Sequence, residues 1–461
     1  MTKKIHIVGI EGAGTSALAT VYGRLGYRVS GSDDGDRFYA SVLEKEGIPV
    51  EPTFSVDHVP VDADFVIYST AYADNVEVSC ARELGLRTLS YPEAVGELTK
   101  EKLSLLVTGT HGKTTTSAML AEVLRSAGKD PSAIIGSRVR AWQGNALAGS
   151  GELFVLEADE YQDKLSYYFP FAAILTSVDW DHPDFFPDAG SYAETFRRFV
   201  RRIPKHGVLV SSADSASVLA VADDATCRKI SYGFDGGADV RIVNRETVSA
   251  SESGPEGIRQ RFDIETKDGS LGTFSLRLSG KHNAQNATAV IALCSFLRVD
   301  MEAVRDCLST FVGTARRSEY IGLYKGIPVY DDYAHHPEEL RATLFAFRDA
   351  YPDKRIVAVF HPHTFTRTLA LLPEFAQSFD EAGRVLVLDI YGSARETAGG
   401  VSSADLVREI NRYVRDKAEH VPTISEAITL LRESLEPGDI LVTFGAGDVY
   451  KVAEGVVGKE K

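Results

Sequence analysis

A lysine and threonines at the mouth of a glycine turn can hold the phosphates of a nucleoside triphosphate. In Thr108-Gly-Thr-His-Gly-Lys-Thr-Thr115 the backbone N–H groups of the turn would face phosphate oxygens. Lys113 would set a point charge on the outer phosphates, and the Thr114 hydroxyl would ligand Mg²⁺. The match to the general phosphate-loop pattern is imperfect. Where that pattern places its first glycine this chain has Val107, and the glycine is displaced to Gly109. Carboxylates recur further on, in Glu157-Ala-Asp-Glu160 and Asp179-Trp-Asp-His182. Mg²⁺ takes oxygen ligands and needs only one or two from protein besides the phosphates. Thr114, Glu157 and His182 are candidates to hold it. His282 and Asn286 are four residues apart, hence on one helix face, where they could stack on and hydrogen-bond an adenine. Arg316-Arg317 can neutralise a triphosphate and a developing phosphoryl transition state. Asp331-Asp332 closes an apolar run and can take ribose hydroxyls. His363 and Arg367 follow another such run.

These groups need elements that aim them at one edge. Apolar runs precede most of them: Lys4 to Val8, Leu103 to Thr108, Glu152 to Leu156, Ala172 to Ser177, Ile327 to Tyr330, Arg355 to Phe360, Arg384 to Leu388 and Asp439 to Phe444. Amphipathic, helix-like stretches alternate with them. That alternation predicts parallel sheets covered by helices, with functional groups at the carboxyl ends of the strands. The first turn, Val8-Gly-Ile-Glu-Gly-Ala-Gly14, is followed by a predicted helix from Ser16 to Gly26. It suits a diphosphate at a helix N-terminus, but its glycines do not follow the strict dinucleotide spacing. Residues 235–279 alternate polar and apolar positions around glycine turns and predict an added antiparallel β-layer.

The chain has 461 residues, a formal charge of −15, 44% hydrophobic residues and four scattered cysteines. That length predicts several α/β domains. The charge argues against non-specific nucleic-acid binding and against an anionic membrane surface. No apolar run approaches the roughly 20 residues of a membrane span. Cys80, Cys227, Cys294 and Cys307 lack metal or disulfide spacing and suit a reducing cytoplasm.

Taken in order, the loop 108–115, Glu157-Ala-Asp-Glu160, Asp181-His182, His282-Asn283-Ala284-x-Asn286, Arg316-Arg317 and Asp331-Asp-Tyr-Ala-His-His-Pro-Glu338 resemble the signature of the Mur ligases. The resemblance runs to Thr443-Phe-Gly-Ala-Gly-Asp448. Val359 to Thr368 and Leu388 to Glu396 resemble the alanine-adding branch. Three domains are implied: a Rossmann-like UDP-sugar domain over 1–99, a central ATPase domain with the added β-layer over 100–312, and a doubly wound α/β domain admitting the amino acid over 313–461. The implied reaction is ATP-dependent joining of L-alanine to the carboxylate of UDP-N-acetylmuramate through an acyl phosphate, in cytoplasmic peptidoglycan precursor synthesis, by a monomer or homodimer.

The resemblance also implies site residues. ATP would meet Gly109, Thr110, His111, Gly112, Lys113, Thr114, Thr115, His282, Asn286, Arg317 and Asp332. Mg²⁺ would meet Thr114, Glu157 and His182, and catalysis would rest on Lys113, Glu157, His182 and Arg317. The UDP-sugar would meet Gly9, Gly12, Ala13, Gly14, Ser32, Asp33, Ser69 and Thr70, and the amino acid His336, His363 and Arg367. Two positions depart from the family pattern: Glu11 stands where many relatives have glycine, and Ser318 where an aromatic is common. Three alternatives remain open: a family member that adds the recycled peptide L-Ala-γ-D-Glu-diaminopimelate, an NAD-dependent oxidoreductase built on the first glycine turn, and a non-catalytic nucleotide-regulated binding protein, against which the set Lys113, Glu157, His182 and Arg317 argues.

Overall fold

The protein is described by a computed structural model covering residues 2–35, 39–248, 259–392 and 399–458. Its α/β architecture is built on mainly parallel sheets, as the alternation predicts, with antiparallel pairs at sheet edges. By contacts the chain divides into two units. One holds residues 1–178, 193–232 and 289–307; the other holds 179–192, 233–288 and 308–461.

In the first unit an all-parallel sheet runs in the order 50–51, 28–32, 4–8, 65–68, 87–90. Val8 is in register with Ser32 and Tyr68, so the chain leaves all three strands at one edge. The helix after the first turn is Ala13–Arg24, shifted from the predicted span at both ends. Gly12 is extended and caps it, while Gly9, at φ 77°, makes the sharp bend. At the other end Gly26 is left-handed, and its neighbour's N–H reaches back from Tyr27 to Tyr22 O, which stops the helix before that glycine.

The phosphate-loop strand, Leu103–Thr108, lies between Leu153–Glu157 and Ala172–Leu175 and is parallel to both. Val208–Ser212 and Arg228–Gly233 extend one side, and a hairpin of Ser132–Val139 with Gly144–Leu147 extends the other. Val107 sits opposite Glu157, and Thr108 opposite Leu175. The phosphate loop, the acidic turn and residues 176–177 therefore leave the sheet together. The displaced glycine has its reason here: Val107 is a fully buried strand residue, and the chain turns two residues later.

In the second unit Val240–Val248, Arg259–Thr266 and Gly269–Leu276 form the antiparallel meander expected for the added β-layer. The other sheet runs 319–324, 327–332, 439–444, 355–360, 384–387, 418–420, parallel except for its first pair. Apolar side chains fill both faces; Phe360, Phe375 and Phe444 lie on one, Leu386, Leu441 and Val452 on the other. Trp180 packs against the first of these cores and fixes residues 179–192 to it. Asp332, Phe360 and Phe444 are in register, so their loops again share one edge. Of the segment Leu388 to Glu396, residues 393–396 lie outside the described residues. Among the described residues no helix is long and apolar enough to cross a membrane.

Candidate active site

The phosphate loop is strapped to the strand end beside it. Thr110 N donates to Ser177 O at 3.1 Å, His111 N to Ser177 Oγ at 2.8 Å, and Thr176 Oγ1 to His111 O at 2.6 Å. A Cβ on Gly109 would stand 2.3 Å from Thr176 Oγ1, and Gly109 has φ 131°, so only glycine fits this approach. Gly112, left-handed at φ 77°, starts the helix Lys113–Ser126. That helix directs unpaired N–H groups at the mouth of the loop.

Lys113 Nζ donates to Gly109 O at 2.5 Å, Thr110 O at 3.1 Å and Glu160 Oε2 at 2.8 Å. Burial works against its charge, but the buried Glu160 and nearby Asp159 outweigh burial and hold its pKa above the ordinary value. Thr114 Oγ1 donates to Glu157 Oε1 at 2.6 Å, and the other oxygen of Glu157 accepts Gly136 N at 2.5 Å. A Cβ on Gly136 would stand 2.8 Å from that carboxylate. The structure thus brings together Lys113, Thr114 and Glu157 as the sequence predicts. It adds Glu160 and Gly136. Glu160 was visible as a member of an acidic motif but not as the lysine's partner; Gly136 carries no local signal.

At the first glycine turn, a Cβ on Gly14 would meet the Tyr91 ring at 2.6 Å, and one on Gly9 would meet Tyr72 at 2.4 Å. Asn145 Nδ2 donates to Ala13 O at 2.6 Å and braces the start of the helix from the hairpin. Asp33 Oδ2 accepts Glu11 N at 2.7 Å, so Asp33 anchors the turn. Ser32 points elsewhere: its hydroxyl donates to the buried Glu77, which also contacts His6 Nε2 at 3.1 Å and accepts Ser55 N at 2.9 Å. Burial would raise the Glu77 pKa, but these bonds lower it on balance. Ser69 Oγ caps the short turn Thr70–Tyr72.

In the second unit His282 stands at the head of the helix Lys281–Phe296. The fully buried Gln260 ties Leu278 O and Gly280 O to the meander and sets the entry to that helix. Burial, reinforced by Arg245 and Arg317, pushes the His282 pKa down to about 4, so the ring is neutral near pH 7. Asn286 is buried one turn further on. The two arginines separate sharply. Arg316 is in the left-handed region at φ 60°. It pairs with Asp331 at 2.9 Å and donates to the carbonyls of Gly445 and Gly447 at 2.7 Å each. Arg317 is less enclosed, with Glu339 at 3.6 Å and the Tyr333 ring beneath it at 5.2 Å. Asp332 accepts Ser318 N at 2.7 Å and Ala334 N at 2.8 Å. Burial still raises its pKa to about 6.

His336 Nδ1 caps the helix Pro337–Ala350, and its Nε2 lies 3.3 Å from Trp180 O. Both ring nitrogens are engaged within the fold, which makes it a strut. His363 stacks on Tyr391, with centroids 5.6 Å apart at 15°. Arg367 pairs with Asp181 at 2.8 Å. His182 follows Asp181 in a left-handed conformation, φ 56°.

A phosphate loop, an acidic strand end and a second α/β unit carrying paired arginines define the class of ATP-using ligases. Family comparison agrees along the chain. Residues 4–103 match the Mur ligase family catalytic domain, 107–294 the Mur ligase middle domain, and 316–447 the Mur ligase glutamate ligase domain. The chain belongs to the Mur ligase family. It is 41% identical over 460 residues to a UDP-N-acetylmuramate–L-alanine ligase of Desulfitobacterium hafniense, covering 99% of this chain and all of that protein. It is 36% identical to the ligase of the same name from Caldanaerobacter subterraneus, covering 100% and 98%. Among solved structures it resembles UDP-N-acetylmuramate-alanine ligase MurC of Thermotoga maritima, with TM-score 0.82 and 27% identity over 99% of this chain and 98% of that one. A murein peptide ligase of Psychrobacter arcticus gives TM-score 0.71 and 25% identity over 99% and 98%.

Proposed function

We propose that the protein joins L-alanine to the lactyl carboxylate of UDP-N-acetylmuramate at the expense of ATP, in the cytoplasm. The observation that carries this reading is the Lys113–Thr114–Glu157 arrangement at the head of a helix. It is built for a metal-bound triphosphate and sits in a chain alike over its whole length to ligases of that name. Thr114 and Glu157, hydrogen-bonded at 2.6 Å, put two oxygen ligands of the kind a hard cation takes side by side, and His182 is the third candidate ligand. Mg²⁺ bound there would neutralise phosphate charge.

In the reaction a carboxylate oxygen of the sugar attacks the γ-phosphorus. The bond to the bridging oxygen breaks, and ADP leaves. The amine of alanine then attacks the acyl carbon of the acyl phosphate, inorganic phosphate leaves, and the amine proton passes to solvent or a base. Lys113 and the N–H groups of the helix head balance the charge of two polyanions brought together, and Arg317 serves the transferring phosphoryl group. His282, neutral and buried, suits stacking on adenine, with Asn286 beside it. The first turn takes the UDP moiety through Gly9, Gly12, Ala13 and Gly14.

Phosphate release driven by L-alanine, set against the tripeptide L-Ala-γ-D-Glu-diaminopimelate, tests the reading. Turnover only with the tripeptide would replace it by the peptide-adding reaction. Saturable NADH binding without ATP turnover would restore the oxidoreductase.

The proposed ribose contact gives a pH signature. Asp332 accepts hydroxyls most strongly as a carboxylate, and burial raises its pKa to about 6. The KM for ATP is expected to rise by up to about 4-fold as pH falls from 7.5 to 5.5, because about three quarters of a group titrating at about 6 is protonated at the lower pH. Asp332→Asn should flatten that rise. Unfolding at this site has the opposite sign. A folded pKa above the unfolded value contributes stability that is full below the unfolded pKa and lost as pH rises through 6.

A further inference from the structure

Asp181 has no part in the scheme above, yet it is the anionic centre around which the amino-acid end of the second unit is arranged. Its carboxylate is buried. Oδ1 accepts the Nε–H of Arg367 at 2.8 Å and the backbone N–H of His182 at 2.7 Å, while Oδ2 lies 3.4 Å from Arg367 Nη2. Burial opposes both charges. Their mutual attraction outweighs it, holding Asp181 well below the usual carboxylate range and Arg367 above its ordinary value.

A guanidinium presents five N–H groups in a rigid fork. Asp181 occupies the side-on pair on Nε and Nη2. Nη1 leans back toward His363, 3.3 Å from its carbonyl oxygen and 3.5 Å from Nδ1. What remains is the end-on pair, one N–H from each Nη, which is the geometry a second carboxylate takes bidentately. The oxygen that fixes Arg367 also holds the backbone of His182 at φ 56°, a conformation that costs free energy and persists only where neighbours impose it.

We propose that Asp181 is a positioning residue: it fixes the fork of Arg367 so that the end-on pair meets the α-carboxylate of the incoming amino acid. This rests on the reading of the protein as an alanine-adding ligase with Arg367 at the amino-acid end. In Asp181→Asn an N–H₂ replaces one acceptor oxygen and faces the guanidinium donor to donor, so the fork turns while the loop keeps its size.

The test is steady-state phosphate release by the full chain with L-alanine and with L-alaninamide, which keeps the amine and lacks the carboxylate. The wild type is expected to prefer L-alanine by about 100-fold in kcat/KM, the scale for loss of a hydrogen bond to a charged group. Asp181→Asn should lose most of that preference. Its KM for L-alanine should rise about 10-fold or more, while the KM values for L-alaninamide and ATP stay within about twofold. Asp181→Glu, which keeps the charge, should recover part of the preference. A preference unchanged in Asp181→Asn, equal losses with both amines, or a glutamate variant no better than asparagine would overturn the proposal. A wild type without alanine-dependent turnover would take down the underlying reading as well, and is recognised from the wild type alone.

Discussion

Replacement of Lys113 by methionine is expected to lower alanine-dependent phosphate release by about 10³-fold or more, the scale for removing a charge that stabilises a developing phosphoryl transition state. It should also lower stability, for a different reason. Glu160 is buried and has Lys113 as its close cation at 2.8 Å. Removing the lysine takes from a buried carboxylate the cation it pairs with, at a cost of about 3–5 kcal/mol. The two effects separate in the double variant Lys113→Met/Glu160→Gln. Thermal unfolding should return toward the wild type, because replacing both members of a buried pair is often close to neutral. Phosphate release should stay as low as in the single variant. A double variant that regained both would mean that Lys113 matters only as the counter-ion of Glu160. Full activity in Lys113→Met would remove the basis of the ligase reading.

Much of this site is legible in the sequence because backbone rules fix it. Apolar runs ending in polar residues mark parallel strands whose carboxyl ends carry function, and Gly109 to Thr114 follow such a run. Turn glycines are legible too: Gly9 and Gly112 adopt positive φ where the motifs place them. Contacts between distant segments are not. Gly136 reaches Glu157 across 21 residues, Lys113 reaches Glu160 across 47, and Asp181 reaches Arg367 across 186. Each is set by strand order and by loops that share an edge, which local spacing does not encode. Hydroxyl direction is equally hidden. Ser32 has the same sequence context whether it faces a ligand or, as found, the buried Glu77. His336 shows the same limit, since a histidine before Pro337 reads alike as a ligand contact or a helix cap.

The arginine pair carries the other large expected effect, because neighbours of one type have opposite work. Arg316 is fully committed: Asp331 takes Nε, and the carbonyls of Gly445, Ala446 and Gly447 take both Nη groups. Tyr333 and Tyr450 lie at 5.0 Å from its guanidinium. Lysine offers three donors on one atom and cannot span those acceptors. Arg316→Lys is therefore expected to leave Asp331 and at least one buried carbonyl poorly satisfied. It should cost about 2–4 kcal/mol of stability, seen as a lowered urea midpoint, with loss of activity following the unfolded fraction. Arg317 has Glu339 at 3.6 Å, feels the charge of Asp332 and has the Tyr333 ring beneath it, and its side chain is more exposed than that of Arg316. Arg317→Lys should keep the urea midpoint within about 0.5 kcal/mol, as substitutions outside buried networks do. It should lower kcat by about 10²-fold or more, because a fork matched to phosphoryl oxygens becomes a point charge. Equal midpoints for the two variants would show that Arg316 is no anchor. An Arg317→Lys protein with wild-type kcat would move the transition-state charge from Arg317 to Lys113 and the helix head alone.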